Sequence, residues 1–132
     1  MAELAEDVIR YLISKEIATA IGVDAFIGYI METDDIPAKC LAVFDTGGGQ
    51  SELALSDVKR TLQIFVRDQD YDTGRKNAWL AYNALDKPKG RVLTMNGRKG
   101  LVRALQVPTA IKRDTKDRTT FVFNISVITT RD

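Results

Sequence analysis

Apolar residues recur at helical spacing in two stretches of the chain, residues 3–21 and residues 73–86. In the first stretch they are Leu4, Val8, Leu12, Ile13, Ile17, Ala20 and Ile21. In the second they are Ala78, Trp79, Tyr82 and Leu85. Gly22 is suited to end the first helix and Asp72 to cap the second, because glycine tolerates left-handed backbone and aspartate accepts hydrogen bonds from free N–H groups. The pattern therefore predicts two amphipathic helices.

Apolar runs and period-two alternation predict strands in the rest of the chain. The predicted strands are 26–32, 39–45, 59–67, 91–95, 100–107 and 118–130. Residues 39–45 are apolar on both faces, which predicts an interior strand with Cys40 buried in it. Residues 112–117 form a predicted charged loop before the last strand.

The predicted elements follow the order α-β-β-β-α-β-β-β. Because short turns join most of the strands, the sheet should be largely antiparallel, and both helices can cover one face. We expect one α+β domain over residues 1–132, with a two-layer, mostly antiparallel sheet of about six strands and two helices packed on one face. The other face mixes Thr, Ser, Asn and Gln with apolar residues, and it is either solvated or half-buried in an oligomer.

Composition and charge narrow the possible functions. The chain has 19 Lys and Arg against 18 Asp and Glu, and this net charge of +1 argues against a general polyanion binder while leaving room for a local basic patch. Histidine is absent, which removes the commonest general base and metal ligand, so we predict no catalytic residue, metal or cofactor. The single cysteine excludes an intrachain disulfide and, with no membrane span or signal peptide evident, favours a reducing cytoplasm.

One tripeptide, Asp45-Thr46-Gly47, is shared with aspartic proteases. In a homodimer of such a protease two copies of this aspartate share a proton and activate water, because close like charges cannot both ionise. That enzyme is one alternative for this chain, although Gly48 stands where Ala or Ser is usual and the two predicted helices do not suit a nearly all-β fold. The other interpretation is a Gly-rich loop over residues 46–57, which glycine makes mobile.

Charged residues are densest at residues 67–72, 87–91 and 112–118, and the three runs together carry both signs. Such runs are usually solvated loops, but mixed signs also suit head-to-tail contacts between the copies in a ring. Arg75 falls near the start of the second predicted helix, where a cation is mildly unfavourable. A carboxylate from a neighbouring copy or from residues 68–72 would offset that cost.

Several short motifs together resemble a known family. The motifs are Asp-Thr-Gly-Gly at 45–48, Val66-Arg67 followed by Asp68 and Tyr71, a helix ending in Leu85, Gln106 with Pro108, Asp114 with Arg118, and Asn124 in the last strand. They resemble the minor capsid or tail-completion proteins of tailed phages and prophages, which have the fold of tail terminators. The resemblance covers the chain from about residue 4 to residue 130.

The resemblance implies a structural virion protein without catalysis. Proteins of this type form a ring, commonly a hexamer, at the head-proximal end of the tail, after assembly in the host cytoplasm. The expected partners are further copies of the chain, the tail tube protein and the head-completion or connector protein. DNA would pass through the channel without sequence-specific binding. Our own expectation is that the channel walls carry acidic or mixed charge, so that they do not grip the DNA. A head-completion or stopper protein of the neck remains an alternative within the same class.

The resemblance also implies which residues meet a partner. Residues 46–57 would face a partner, and residues 68–75 would lie near a subunit contact. The predicted interface residues are Asp45, Gly47, Gly48, Gly49, Arg67, Asp68, Asp70, Tyr71, Arg75 and Arg118.

Overall fold

The computed structural model describes residues 4–28, 39–47, 57–86, 92–95, 97–113 and 118–130. The helices are α1 (Leu4–Ser14) and α2 (Tyr71–Leu85). The strands are β1 (Ala25–Ile27), β2 (Cys40–Gly47), β3 (Asp57–Asp68), β4 (Val92–Met95), β5 (Arg98–Ala104), β6 (Thr109–Arg113) and β7 (Thr119–Thr130). The predicted α+β class is confirmed.

The strands form one sheet in the order β1-β2-β3-β7-β5-β4, and β6 pairs with β7 beside β5. Only the β1–β2 pair is parallel among these strands. β5 and β6 pair with successive parts of β7, because Ala104 lies opposite Ile125 and Thr109 lies opposite Val122. They therefore act as one interrupted strand, so the sheet is about six strands wide, as predicted. β6 itself was not predicted, and it takes in the start of the expected charged loop.

Both helices pack on the same face of the sheet. α1 lies over β1, β2 and β4, and α2 lies over β3, β5 and β7. The residues between the layers that are fully buried include Val8, Ile9, Leu12, Leu62, Ile64, Ala78, Leu85, Phe123 and Ile125. Each large side chain among them contributes about 1.5–3 kcal/mol through burial. The predicted layering of helices on one sheet face is confirmed.

α1 ends at Ser14 and not at the predicted residue 21. The next turn is a Schellman motif, in which the Ile17 N–H donates to the Leu12 carbonyl and the Glu16 N–H donates to that of Ile13. Glu16 takes the left-handed conformation that this motif requires, with φ of 62°. Ile17 and Ile21 pack on the core from the following loop. Helical spacing of apolar residues therefore continues past the point where the helix ends.

α2 begins at Tyr71, so its N-cap is Asp70 and the predicted cap, Asp72, lies in the first turn. The first helical hydrogen bond runs from the Gly74 N–H to the Asp70 carbonyl, at 2.9 Å. Cys40 is buried in β2, which has β1 on one side and β3 on the other, so the predicted interior strand is confirmed.

Candidate subunit interface

The turn from β3 into α2 is the centre of the predicted interface, and we call residues 67–75 the corner. Two side chains fix its shape. The Asp68 carboxylate accepts a hydrogen bond of 3.0 Å from the Asp70 backbone N–H, and the Asp70 carboxylate accepts one from the Thr73 hydroxyl. The Thr73 hydroxyl is the main cause that lowers the pKa of Asp70. Asp70 is therefore ionised at neutral pH at the start of α2, where a negative charge suits the helix dipole.

Gly74 allows α2 to lie directly against the sheet at this corner. A Cβ atom on Gly74 would lie 2.9 Å from the Asp68 Cβ and 3.1 Å from the Phe121 Cε1. Real Cβ atoms essentially never approach a neighbour as closely as the first of these distances. The close contact fixes the position of α2 relative to the ends of β3 and β7.

The charged residues of the corner divide into a buried and an exposed group. Arg67 is 2% exposed and Asp68 7%, and Arg118, just before β7, is 5% exposed. Burial of charge is costly unless each charge has partners, so these residues are part of the subunit's internal packing. Asp70, Tyr71 and Arg75 are exposed, and the Tyr71 ring rests on Phe121 with 5.2 Å between ring centroids. Of the predicted set at this corner, these last three are accessible to a partner.

Cys40 lies directly opposite Arg67 in the β2–β3 pair. Burial raises the pKa of its thiol to about 11, although the nearby Arg67 and Arg118 cations act in the opposite direction. The thiol is therefore protonated at neutral pH, which fits a packing role and not that of a nucleophile.

Asp45 lies in β2 on the face that the helices cover, opposite Leu62. Its carboxylate forms an ion pair with the Arg60 guanidinium of β3. The following Thr46 donates a hydrogen bond of 2.8 Å to the Thr61 carbonyl, across a β-bulge between Asp45 and Gly47. This carboxylate is thus engaged in holding two strands together, where a protease would need it to activate water. Gly48 and Gly49 lie outside the described residues.

Exposed apolar residues at the two sheet edges were missed by the sequence reasoning. Leu105, Val107 and Ile111, in and before β6, are 54%, 48% and 54% exposed. β6 pairs with β7 on one side, and no other strand of the described ranges pairs with it. At the opposite edge, Val23 and Ile27 are exposed beside β1. Open edges with apolar side chains are ready to pair with another chain. The apolar residues at 105, 107 and 111 were the available sequence indication, but polar Thr109 interrupts their spacing.

Within the part of the chain that the structure describes, no three His, Cys, Asp or Glu residues group together as a metal site would require. The helices of that same part are too short or too polar to span a bilayer.

Comparison with known proteins identifies the family. A family model described as "Bacteriophage tail terminator protein" matches residues 11–131. A chain in a solved structure titled "Virion of native gene transfer agent (GTA) particle" superposes with a TM-score of 0.65 at 12% identity, covering 97% of this chain and 95% of that one. Another solved chain aligns over 98% of both chains at 15% identity with a TM-score of 0.49. No curated protein sequence matches. Because the family model spans nearly the whole sequence, the chain belongs to the bacteriophage tail terminator family, whose members are structural proteins of the virion tail.

Proposed function

We propose that this chain forms a closed ring at the head-proximal end of a phage or prophage tail, where it terminates the tube and joins it to the head connector. The observation that carries the proposal is the tail terminator family match over residues 11–131. The superposition on a gene transfer agent virion chain supports the fold. We further propose six copies per ring, with DNA passing through the channel without sequence-specific binding.

The two sheet edges support a head-to-tail arrangement of the copies. The β1 edge and the β6 edge differ in sequence and run in opposite directions, so a contact between them is heterologous, and such contacts generate rings when the rotation closes. Exposed Ile27 on one edge and Ile111 on the other provide apolar area for that contact. A net charge of +1 adds little repulsion between copies.

The corner and the segment of residues 45–49 are the proposed contacts with other proteins. Asp70, Tyr71 and Arg75 offer an acid, an aromatic ring and a cation on one exposed surface. Arg67, Asp68 and Arg118 act behind them by holding the turn in place. The segment from Asp45 through Gly47, Gly48 and Gly49 is proposed to lead into a partner contact at the end of β2.

Native mass spectrometry and sedimentation of the full chain, alone and mixed with its tube protein, test the proposal. We expect a ring of about six copies in at least one of the two conditions. A strict monomer in both would contradict it. Parallel capture experiments with tube protein and with connector protein separate the two positions in the virion. Capture by the connector without capture by the tube would replace tube termination by head completion.

A further inference from the structure

The sheet face opposite the helices, which we call the open face, is defined by the strand register. Leu62 and Ile125 are paired and point to the core, so their strand neighbours on either side belong to the open face. The same alternation places Val102 inward and Leu101 outward on β5. The open-face residues of the three middle strands include Lys59, Thr61, Gln63, Lys99, Leu101, Arg103, Asn124, Ser126 and Ile128.

The exposed charges that the structure describes on the open face are all positive. Lys59, Lys99 and Arg103 are exposed, and the charged side chains that the structure describes on this face include no Asp or Glu. Asp45 and Asp68 lie on the face that the helices cover, whereas Asp57, the first residue of β3, falls by register on the same side of the strand as Lys59. The open face therefore groups three exposed cations, although the net charge of the chain is only +1.

The three cations surround one patch. Lys59 lies opposite Ile128, which lies opposite Leu101, while Ser126 separates Thr61 from Arg103 in the next row. Neighbouring strands are about 4.8 Å apart, so the patch is about 10 Å wide. Lys99 and Arg103 flank Leu101 along β5. Long basic side chains of this kind lay their stems along apolar neighbours and keep the charged end in water, so the charges form the outermost layer.

We propose that Lys59, Lys99 and Arg103 contact the phosphate backbone of double-stranded DNA, and that the open face lines the ring's channel. The placement in a channel rests on the proposed function, whereas the attraction between the cations and phosphate does not. The proposed lining is basic, in place of the acidic or mixed channel wall that we expected at the start. Two open faces cannot pack on each other without bringing like charges together, which argues against a second copy as the occupant.

Binding through three flexible cations on a sheet face is independent of base sequence, because phosphate contacts carry no sequence information. Each subunit alone binds weakly, and a ring multiplies the contacts through effective concentration. A modest number of cations per copy allows DNA to be held in the channel and still to move along it.

Fluorescence anisotropy of the full chain with a labelled duplex of about 30 base pairs tests the inference. At low salt, we expect the triple variant Lys59→Gln, Lys99→Gln, Arg103→Gln to bind at least about 10-fold more weakly than the wild type. The slope of log affinity against log salt should fall by about 0.9 for each phosphate contact removed. AT-rich and GC-rich duplexes should bind equally.

The matched control removes three exposed cations from the helix side, as Arg10→Gln, Lys15→Gln, Lys76→Gln. It should retain wild-type DNA binding. Equal weakening in both triple variants, or no DNA binding by the wild type at low salt, would overturn the inference. Loss of tube or connector capture by the open-face variant with DNA binding intact would also overturn it, because the face would then dock an acidic protein.

Sedimentation of the same samples separates this inference from the proposed function. A ring that does not bind DNA leaves the ring proposal standing and removes the inference. DNA binding that depends on the three cations in a chain that never assembles leaves phosphate recognition standing and removes the ring.

Discussion

Glu16 is the non-glycine residue with positive φ in the described chain, and its φ of 62° carries a cost in free energy. Glycine adopts this conformation freely, so Glu16→Gly should raise the free energy of unfolding by about 1 kcal/mol, as measured by urea denaturation. The neighbouring exposed residue gives the control. Lys15→Gly should lower stability, because Lys15 has no positive φ to relieve. Equal effects at both positions would contradict the assigned helix end.

Gly74 is a position where the usual helix preference should be reversed. Alanine is favoured over glycine in a helix by about 1 kcal/mol. Here its Cβ would meet Asp68 and Phe121, so we expect Gly74→Ala to lower the free energy of unfolding by about 1–3 kcal/mol. Asn83→Ala, at an exposed position of α2, should instead be neutral or slightly stabilising. A Gly74→Ala variant that is more stable than the wild type would show that α2 does not lie so close to the sheet.

The buried thiol of Cys40 gives a pH-dependent prediction. Because burial raises its pKa from 9.0 to about 11, the protonated thiol contributes stability that is complete below pH 9.0 and is lost as the pH rises towards 11. Wild-type protein should therefore lose more stability than Cys40→Ala across this interval. At pH 8 an aromatic disulfide reagent should label the folded protein about 100-fold more slowly than the protein in urea. Rapid labelling of the folded protein would contradict the burial.

Sequence reasoning predicted Cys40 correctly and the arginines incompletely, for a physical reason. Apolar neighbours on both sides of Cys40 indicate burial directly. Arg67 and Arg118 stand in charged runs, which are usually solvated, yet both are buried. Which charges are buried depends on contacts between segments distant in sequence, and a single sequence does not contain that information.

At the level of elements, periodicity predicted the long strands and failed at the boundaries. Apolar residues alternate over residues 62–66 of β3 and 121–127 of β7, where every second residue is a buried core residue, and this period-two pattern predicted both strands. β6 was missed because its residues are polar or exposed, so its pairing with β7 leaves no apolar alternation. The end of α1 was missed because Ile17 reaches the core from a loop at a spacing that a helix would also give.

The open β6 edge gives a prediction for one element. Ile111 and Leu80 are matched in exposure, at 54% and 55%, but Leu80 lies on the outer side of α2. Ile111→Lys should weaken the assembly measured by native mass spectrometry at least about 10-fold, because it places a charge in an apolar contact. Leu80→Lys should leave assembly unchanged, and both variants should keep the wild-type melting temperature. Loss of assembly in Leu80→Lys alone would show that the subunit contact is formed by α2 and not by β6.

For the whole molecule, the interface is the part that the sequence predicted least. Its ten proposed residues came from the family resemblance, and folding buries Arg67, Asp68 and Arg118 inside the subunit. The grouping of three exposed cations was also hidden, because a net charge of +1 does not report where charges lie. Lys59, Lys99 and Arg103 come onto one face only through the pairing of β3 and β5 with β7.

Heterologous closure makes a prediction that no isologous dimer shares. A copy with Ile111→Lys keeps its β1 edge, so it joins an arc and then blocks closure at its other edge. If one-fifth of the copies carry the change and mix at random in rings of six, about a quarter of the rings contain no variant copy and close intact. An isologous contact involves only two copies, so about two-thirds of such contacts would contain no variant copy. Native mass spectrometry across a series of mixing ratios distinguishes the steep loss from the shallow one, and a shallow loss would rule out head-to-tail closure through β6.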